Sequence, residues 1–196
     1  MKLNSAREAW FSAYYSPWDS VMSHALEIAR LECAVQKTER GVTAGRAAHQ
    51  ALAGQVQRAI DTLPGYLRSF GHHMYNPLAD DNQQDDAQEA VFVLGVKEIG
   101  PIRAKKYELA RHVANGVLYR YRRMHQGGQS AGNDPAPTSE SFRKLLFDEY
   151  GAEIRSENWG RDWEPLVNAF FNACNELDRQ CLIPVANILY EMKSAA

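Results

Sequence analysis

Residues 163–177, WEPLVNAFFNACNEL, repeat apolar side chains every three or four positions, at Trp163, Leu166, Val167, Phe170, Cys174 and Leu177. That interval matches the 3.6-residue turn of an α-helix, so one face is buried while Asn168, Asn172, Asn175 and Arg179 look outward. Pro165 sets the register. Deep in a helix a proline costs about 3 kcal/mol, whereas in the first turn its missing N–H would have had no partner anyway. With Asp162 as N-cap, Pro165 falls at the third helical position, and a further helix is expected from about Pro184 to Met192. Strand signals are scarce. The run AVFVLGV, 90–96, concentrates β-branched residues, but helix formers flank it and it reads better as buried helix. The fold class predicted is all-α, with about eight helices.

Asp19 as N-cap, then Val21, Ala25, Ile28, Cys33 and Val35, predicts a long helix stopping at Gly41. TAGRAAHQALAGQVQRAIDTLPG places Leu52, Val56 and Ile60 four apart and ends at Pro64, with Gly45 and Gly54 as positions for close helix packing. YLRSFGHHMYNP holds a short helix. ADDNQQDDAQEA, 79–90, reads as an acidic surface loop running into a helix start. Pro101 suits the opening turn of the next helix, whose buried stripe is Tyr107, Ala110, Ala114, Val117, Leu118 and Tyr121 and which runs to about Met124. A Gly/Ser/Asn/Pro-rich linker spans 126–138. Thr138 or Ser139 then caps a helix carrying Phe142, Leu145, Leu146 and Phe147 that ends at Tyr150-Gly151. A helical N-terminal region, 1–78, and a helical C-terminal region, 79–196, either stand apart or share one core.

The 45% hydrophobic content is ordinary for a globular chain, and the formal charge of -2 excludes a wholly basic nucleic-acid coat. Charge is nonetheless uneven. Between Lys97 and Arg123 eight basic residues stand against Glu98 and Glu108, a net of +6. Cys33, Cys174 and Cys181 cannot all pair and form no CxxC, which fits a reducing cytoplasm and suggests no cysteine zinc site. No stretch approaches the roughly 18 apolar residues of a membrane span, and the N-terminus lacks an unbroken signal-type core. Catalytic signatures are missing: there is no GxSxG, HExxH or Gly-rich phosphate loop, the aspartates at 80–81 and 85–86 lie in an apparent loop, and His72-His73 lack a carboxylate at metalloprotease spacing. The expectation is a protein that is not an enzyme and holds no metal or cofactor.

Nucleic-acid binding has more support. YRYRRMHQGG, 119–128, interleaves tyrosines with Arg120, Arg122 and Arg123 at a helix end, where arginines reach phosphates but are also favoured by the helix dipole. The helices expected over 139–150 and 162–179 resemble a helix-turn-helix, whose second helix enters the major groove by its N-terminal residues. Arg155, Asn158 and Arg161 occupy the turn and leading edge, where Arg can address guanine and Asn adenine. Trp163 belongs to the apolar stripe; Trp159 is either scaffold or base-stacking platform.

At these residues the chain resembles the Q-type transcription antitermination proteins of lambdoid phages. RAKKYELARHVANGVLYRYRR is similar to that family's long helix before its insert, SESFRKLL to the helix after it, and WGRDWEPLVNA with Cys174 and Glu176 to its closing helix. There Trp159, Arg161, Pro165, Leu166, Ala169 and Cys174 have counterparts, and the opening MKLNS with Ser16-Pro17 is a fainter echo. Lambda-type members carry a zinc-binding insert of CxxC pairs where this chain has QGGQSAGNDPAP, so zinc is not carried over. The resemblance implies a factor that binds a double-stranded DNA element near a promoter and engages paused bacterial RNA polymerase at its RNA-exit region and its sigma subunit. Readthrough of pauses and terminators follows, with the protein in the cytoplasm and at the nucleoid during transcription.

On that expectation Arg155, Asn158 and Arg161 read DNA, and Arg143 and Lys144 hold phosphates. Arg103, Lys106, Arg120, Arg122 and Arg123 face polymerase or nascent RNA. Replacing Arg161 should relax sequence preference, while replacing Lys144 should weaken binding to every sequence. Two other readings stand beside it. One is a phage-type helix-turn-helix DNA-binding protein, a repressor or terminase-type recognition subunit, acting without polymerase. The other is a helical module whose basic helix docks on an acidic partner.

Overall fold

The stripe that begins at Trp163 runs much further than Leu177. In the computed structural model, which describes residues 5–15, 40–125 and 134–194, a single helix spans Glu164–Ser194. Pro184 lies inside it and starts no new helix. Continuity follows from burial: Cys181, Val185 and Leu189 carry the apolar face past the proline, and that packing outweighs a penalty of about 3 kcal/mol. At its other end Asp162 is not the N-cap. The helix opens at Glu164, so Pro165 is its second residue, still in the first turn where no N–H is missed.

In chain order the elements are α1 (Ala6–Tyr14), α2 (Arg40–Asp61), α3 (Gly65–Tyr75), α4 (Asp81–Ile99), α5 (Ala104–His125), α6 (Ser139–Tyr150), α7 (Trp159–Asp162) and α8 (Glu164–Ser194). Among the described residues these eight helices are accompanied by no strand, and the fold is all-α. Helix α8 is the axis: α1, α2, α3, α4, α5 and α7 all pack on it, while α6 rests on α5. One hydrophobic cluster runs from Ala9 and Trp10 through Phe70, Val91, Val117 and Phe142 to Phe170 and Leu189. Helix α1 has no counterpart among the helices expected from periodicity; Ser5 caps it by accepting from the Glu8 N–H, and Trp10 is wholly buried.

Several boundaries differ from expectation. The helix expected from Asp19 lies outside the described residues, and Gly41 stops nothing, being the second residue of α2. A methyl on Gly54 would meet nothing within 4 Å, so close packing does not require glycine there. The acidic stretch is helix almost from its start: Asp80 forms a capping box with Gln83, and Asp81, Asp85 and Asp86 lie in α4. Its exit is Gly100 at φ 91, a left-handed turn that leaves Pro101 outside α5, which starts three residues later. Thr138 and Gly151 begin and end α6 as expected, and 90–96 is helical. Tyr107, placed on the buried stripe of its helix, is 40% exposed, and Phe147 of α6 is 56% exposed.

Helix α3 is buried along most of its length, its histidines included. His73 is 5% exposed, and burial, then the nearby Arg122 charge, lowers its pKa to about 4. Because the folded-state value lies below the unfolded one, the neutral ring contributes stability above about pH 6.5 that is lost as pH falls toward 4. Urea unfolding at pH 7 and pH 5 should therefore differ by about 2 kcal/mol from this residue. A His73→Gln variant, neutral throughout, is expected to remove that share of the slope; an unchanged slope would assign the acid sensitivity elsewhere.

Candidate nucleic-acid interface

Between α6 and α8 the chain must turn while keeping its apolar anchors inside. Gly151, at φ 65, reverses α6, and the Ala152 N–H donates back to the Leu146 carbonyl at 3.2 Å. Side chains of an extended segment then alternate: Ala152 and Ile154 are buried, Glu153 and Arg155 exposed. Arg155 faces solvent because its neighbour occupies the core. Asn158 adopts the left-handed conformation, φ 58, and its carbonyl accepts from the Arg161 and Asp162 N–H groups at 3.1 and 2.9 Å. Asparagine tolerates that backbone, so its identity has a local cause besides any contact with adenine. Its side chain makes no capping bond and is exposed.

The two tryptophans differ. Trp163 is 7% exposed in the core. Trp159 is half-buried, its ring edge-on to Phe142 at 6.3 Å and 71°. Phe142 and Leu146 lie over Gly116 of α5, where a methyl would approach Leu146 Cδ2 to 2.5 Å, so glycine lets α6 seat closely. The bend is thus held at α6, α5 and α8, while Arg161, 72% exposed, projects from it.

The structure joins residues that the sequence assigned to separate surfaces. Lys106, on the first turn of α5, lies 3.2 Å from the Asp162 carboxylate and 5.4 Å above the Trp163 ring. Arg161 Nε donates to the other oxygen of Asp162 at 3.1 Å. Hydrogen bonds from Arg161, then from Lys106, hold the Asp162 carboxyl below the usual range. The amino-terminal end of α5, with exposed Arg103 and Lys105, therefore adjoins the bend. Lys144 is exposed on the side of α6 away from its buried residues, and the half-buried Arg143 donates from Nε to the Ser139 carbonyl at 3.3 Å.

The carboxyl-terminal end of α5 is different. Arg120 makes a bidentate pair with Asp134, 2.7 and 2.5 Å, and lies 4.9 Å from the Phe171 ring centre. That guanidinium ties residue 134 to the core. Arg122 is half-buried with an Nε that has no hydrogen-bond partner, and Arg123 is exposed. Arg120 is linked to the bend through the Phe142 ring, 5.9 Å away, which Trp159 meets edge-on.

Sequence reasoning missed a buried polar cluster. Asp178 of α8, 3% exposed, accepts from Arg7 Nη2 of α1 at 2.5 Å, from the Tyr75 hydroxyl of α3, and from the Tyr121 hydroxyl of α5 at 3.2 Å. Burial, then the Asp178 charge, raises both tyrosine pKa values, keeping them neutral donors. Cys174 and Cys181 are free and buried, and burial pushes both thiols up, away from nucleophilic character. Among the described residues no three His, Cys, Asp or Glu side chains are grouped to hold a metal, and no helix is long and apolar enough to cross a membrane. Comparison with protein-family models, curated proteins and solved structures finds no match to the chain.

Proposed function

We propose that this protein is a transcription antitermination factor. It binds a promoter-proximal DNA element through the bend 151–162, loads onto paused RNA polymerase near the RNA exit channel, and carries it through pauses and terminators. The observation that carries the reading is the exposed bend: Arg155, Asn158 and Arg161 stand, among Glu153, Glu157 and Asp162, on a short segment braced by buried Ala152, Ile154 and Trp163. The WGRDW stretch that resembles the Q-type antiterminators is the same segment. Residues 151–158 separate α6 from α7, a longer connection than the three or four residues of a helix-turn-helix, so the DNA reader is best described as a braced bend ahead of α8. Arg155 and Asn158 supply base-edge donors and Lys144 a phosphate contact.

A terminator hairpin forms in or near the exit channel, and a rigid helical body there opposes it sterically. The amino-terminal end of α5, with Arg103 and Lys105, supplies positive charge for RNA phosphates beside the DNA-facing bend. Transcription in vitro from a template with its own promoter region and a downstream terminator tests the reading. Added protein should raise the full-length fraction, and an Arg155→Ala variant should lose most of that gain. Unchanged proportions would overturn antitermination, and DNA binding without any effect on elongation would favour a DNA-binding protein that acts alone.

A further inference from the structure

We infer that Lys106 and Arg161 form a subsite for one backbone phosphate diester of a duplex, and that Asp162 occupies it as an internal anion until nucleic acid displaces it. The inference rests on the DNA-binding part of the function proposed above. It changes the role of Arg161 from base reader to phosphate contact. The geometry is a fork: Lys106 Nζ approaches one Asp162 oxygen at 3.2 Å, and Arg161 Nε and Nη2 approach its two oxygens at 3.1 and 3.4 Å. The cations come from different helices, α5 and α7, and face a single carboxylate.

A diester phosphate presents two unesterified oxygens with one negative charge, which matches what the carboxylate offers that pair. Lys106 is held in place by the Trp163 ring beneath it, so its ammonium does not have to be ordered when a phosphate arrives. The site is accessible. Arg161 is 72% exposed, Lys106 33% and Asp162 28%. Asp162 is joined to Arg161 by sequence and can rotate away without moving the backbone of α8. Exchange of one anion for another leaves the fork paired at every stage, so neither cation is stranded.

The test uses the full chain and a random-sequence 30-base-pair duplex, with affinity measured by fluorescence anisotropy over a salt series. Asp162→Asn should bind about five- to tenfold tighter than the parent, with the slope of log K against log salt steeper by about one. Lys106→Gln combined with Asp162→Asn should lose that gain. Glu153→Gln adds the same charge to the same bend without opening the fork, and should gain less than twofold. An equal gain from Glu153→Gln, or no gain from Asp162→Asn with its melting temperature unchanged, overturns the internal-anion role while leaving DNA binding intact. If the parent and Asp162→Asn both fail to bind duplex, the subsite and the DNA-binding reading fall together.

Discussion

Replacing Asp178 with alanine is expected to destabilise the protein by about 3–5 kcal/mol, the range for removing one partner of a buried, hydrogen-bonded ion pair. Three donors from three helices converge on this carboxylate, and its loss strands all of them at once. Arg7 is the most damaging, since its guanidinium side chain is only 22% exposed and its other nitrogen lies 3.0 Å from His125 Nδ1, an uncharged partner when the ring is neutral. The tyrosine hydroxyls, one buried at each side, would each lose an acceptor at about 1 kcal/mol or more. For a chain of this length the midpoint should fall by about 10 °C. Urea denaturation of Asp178→Ala, Arg7→Ala and the double variant supplies the coupling. The double variant should be far less destabilised than the sum of the two, and additive effects within about 0.5 kcal/mol would mean that the pair is not coupled.

That cluster also marks where sequence reading stopped. Apolar periodicity found α8 because its buried positions repeat every three or four residues, and the same rule passed over Asp178 because an aspartate is polar. Its position carried the signal: four residues after Cys174 and three before Cys181, it sits within the buried stripe. A carboxylate at such a position requires donors from elsewhere, and nothing local names Arg7, Tyr75 and Tyr121 as the suppliers. Tertiary pairing decided it. Pro184 is a related case, where a local breaker was outweighed by the continuity of the buried face.

The bend was more legible. Gly151 as a left-handed stop and Thr138 as a cap are local chemistry, and both were readable from residue type and place. Exposure of Arg155 follows from a two-residue alternation with Ile154 that begins after the helix ends. What the sequence hid was the neighbour. Lys106 lies 56 positions before Asp162, and their meeting depends on how α5 and α7 both pack on α8. The same limit applies to Arg120, whose position in a basic run suggested a solvent-facing role until Asp134 was found beside it.

The tryptophan pair is expected to separate stability from binding. Trp163→Ala should lower stability by about 3–5 kcal/mol, because its indole is 7% exposed and the cavity cannot close without shifting α5 or α7 against α8. Trp159→Ala should cost only about 1 kcal/mol, the scale of an edge-to-face aromatic pair on a half-buried ring. Its larger effect is on the bend, which it holds against Phe142, so affinity for duplex DNA should fall several-fold in a protein that remains folded. Trp159→Phe keeps a ring edge against Phe142 and should restore most of the affinity if Trp159 is scaffold. If Trp159→Phe binds as poorly as Trp159→Ala while melting like the parent, the indole itself is the recognising surface, and the bend reads nucleic acid by stacking as well as by charge.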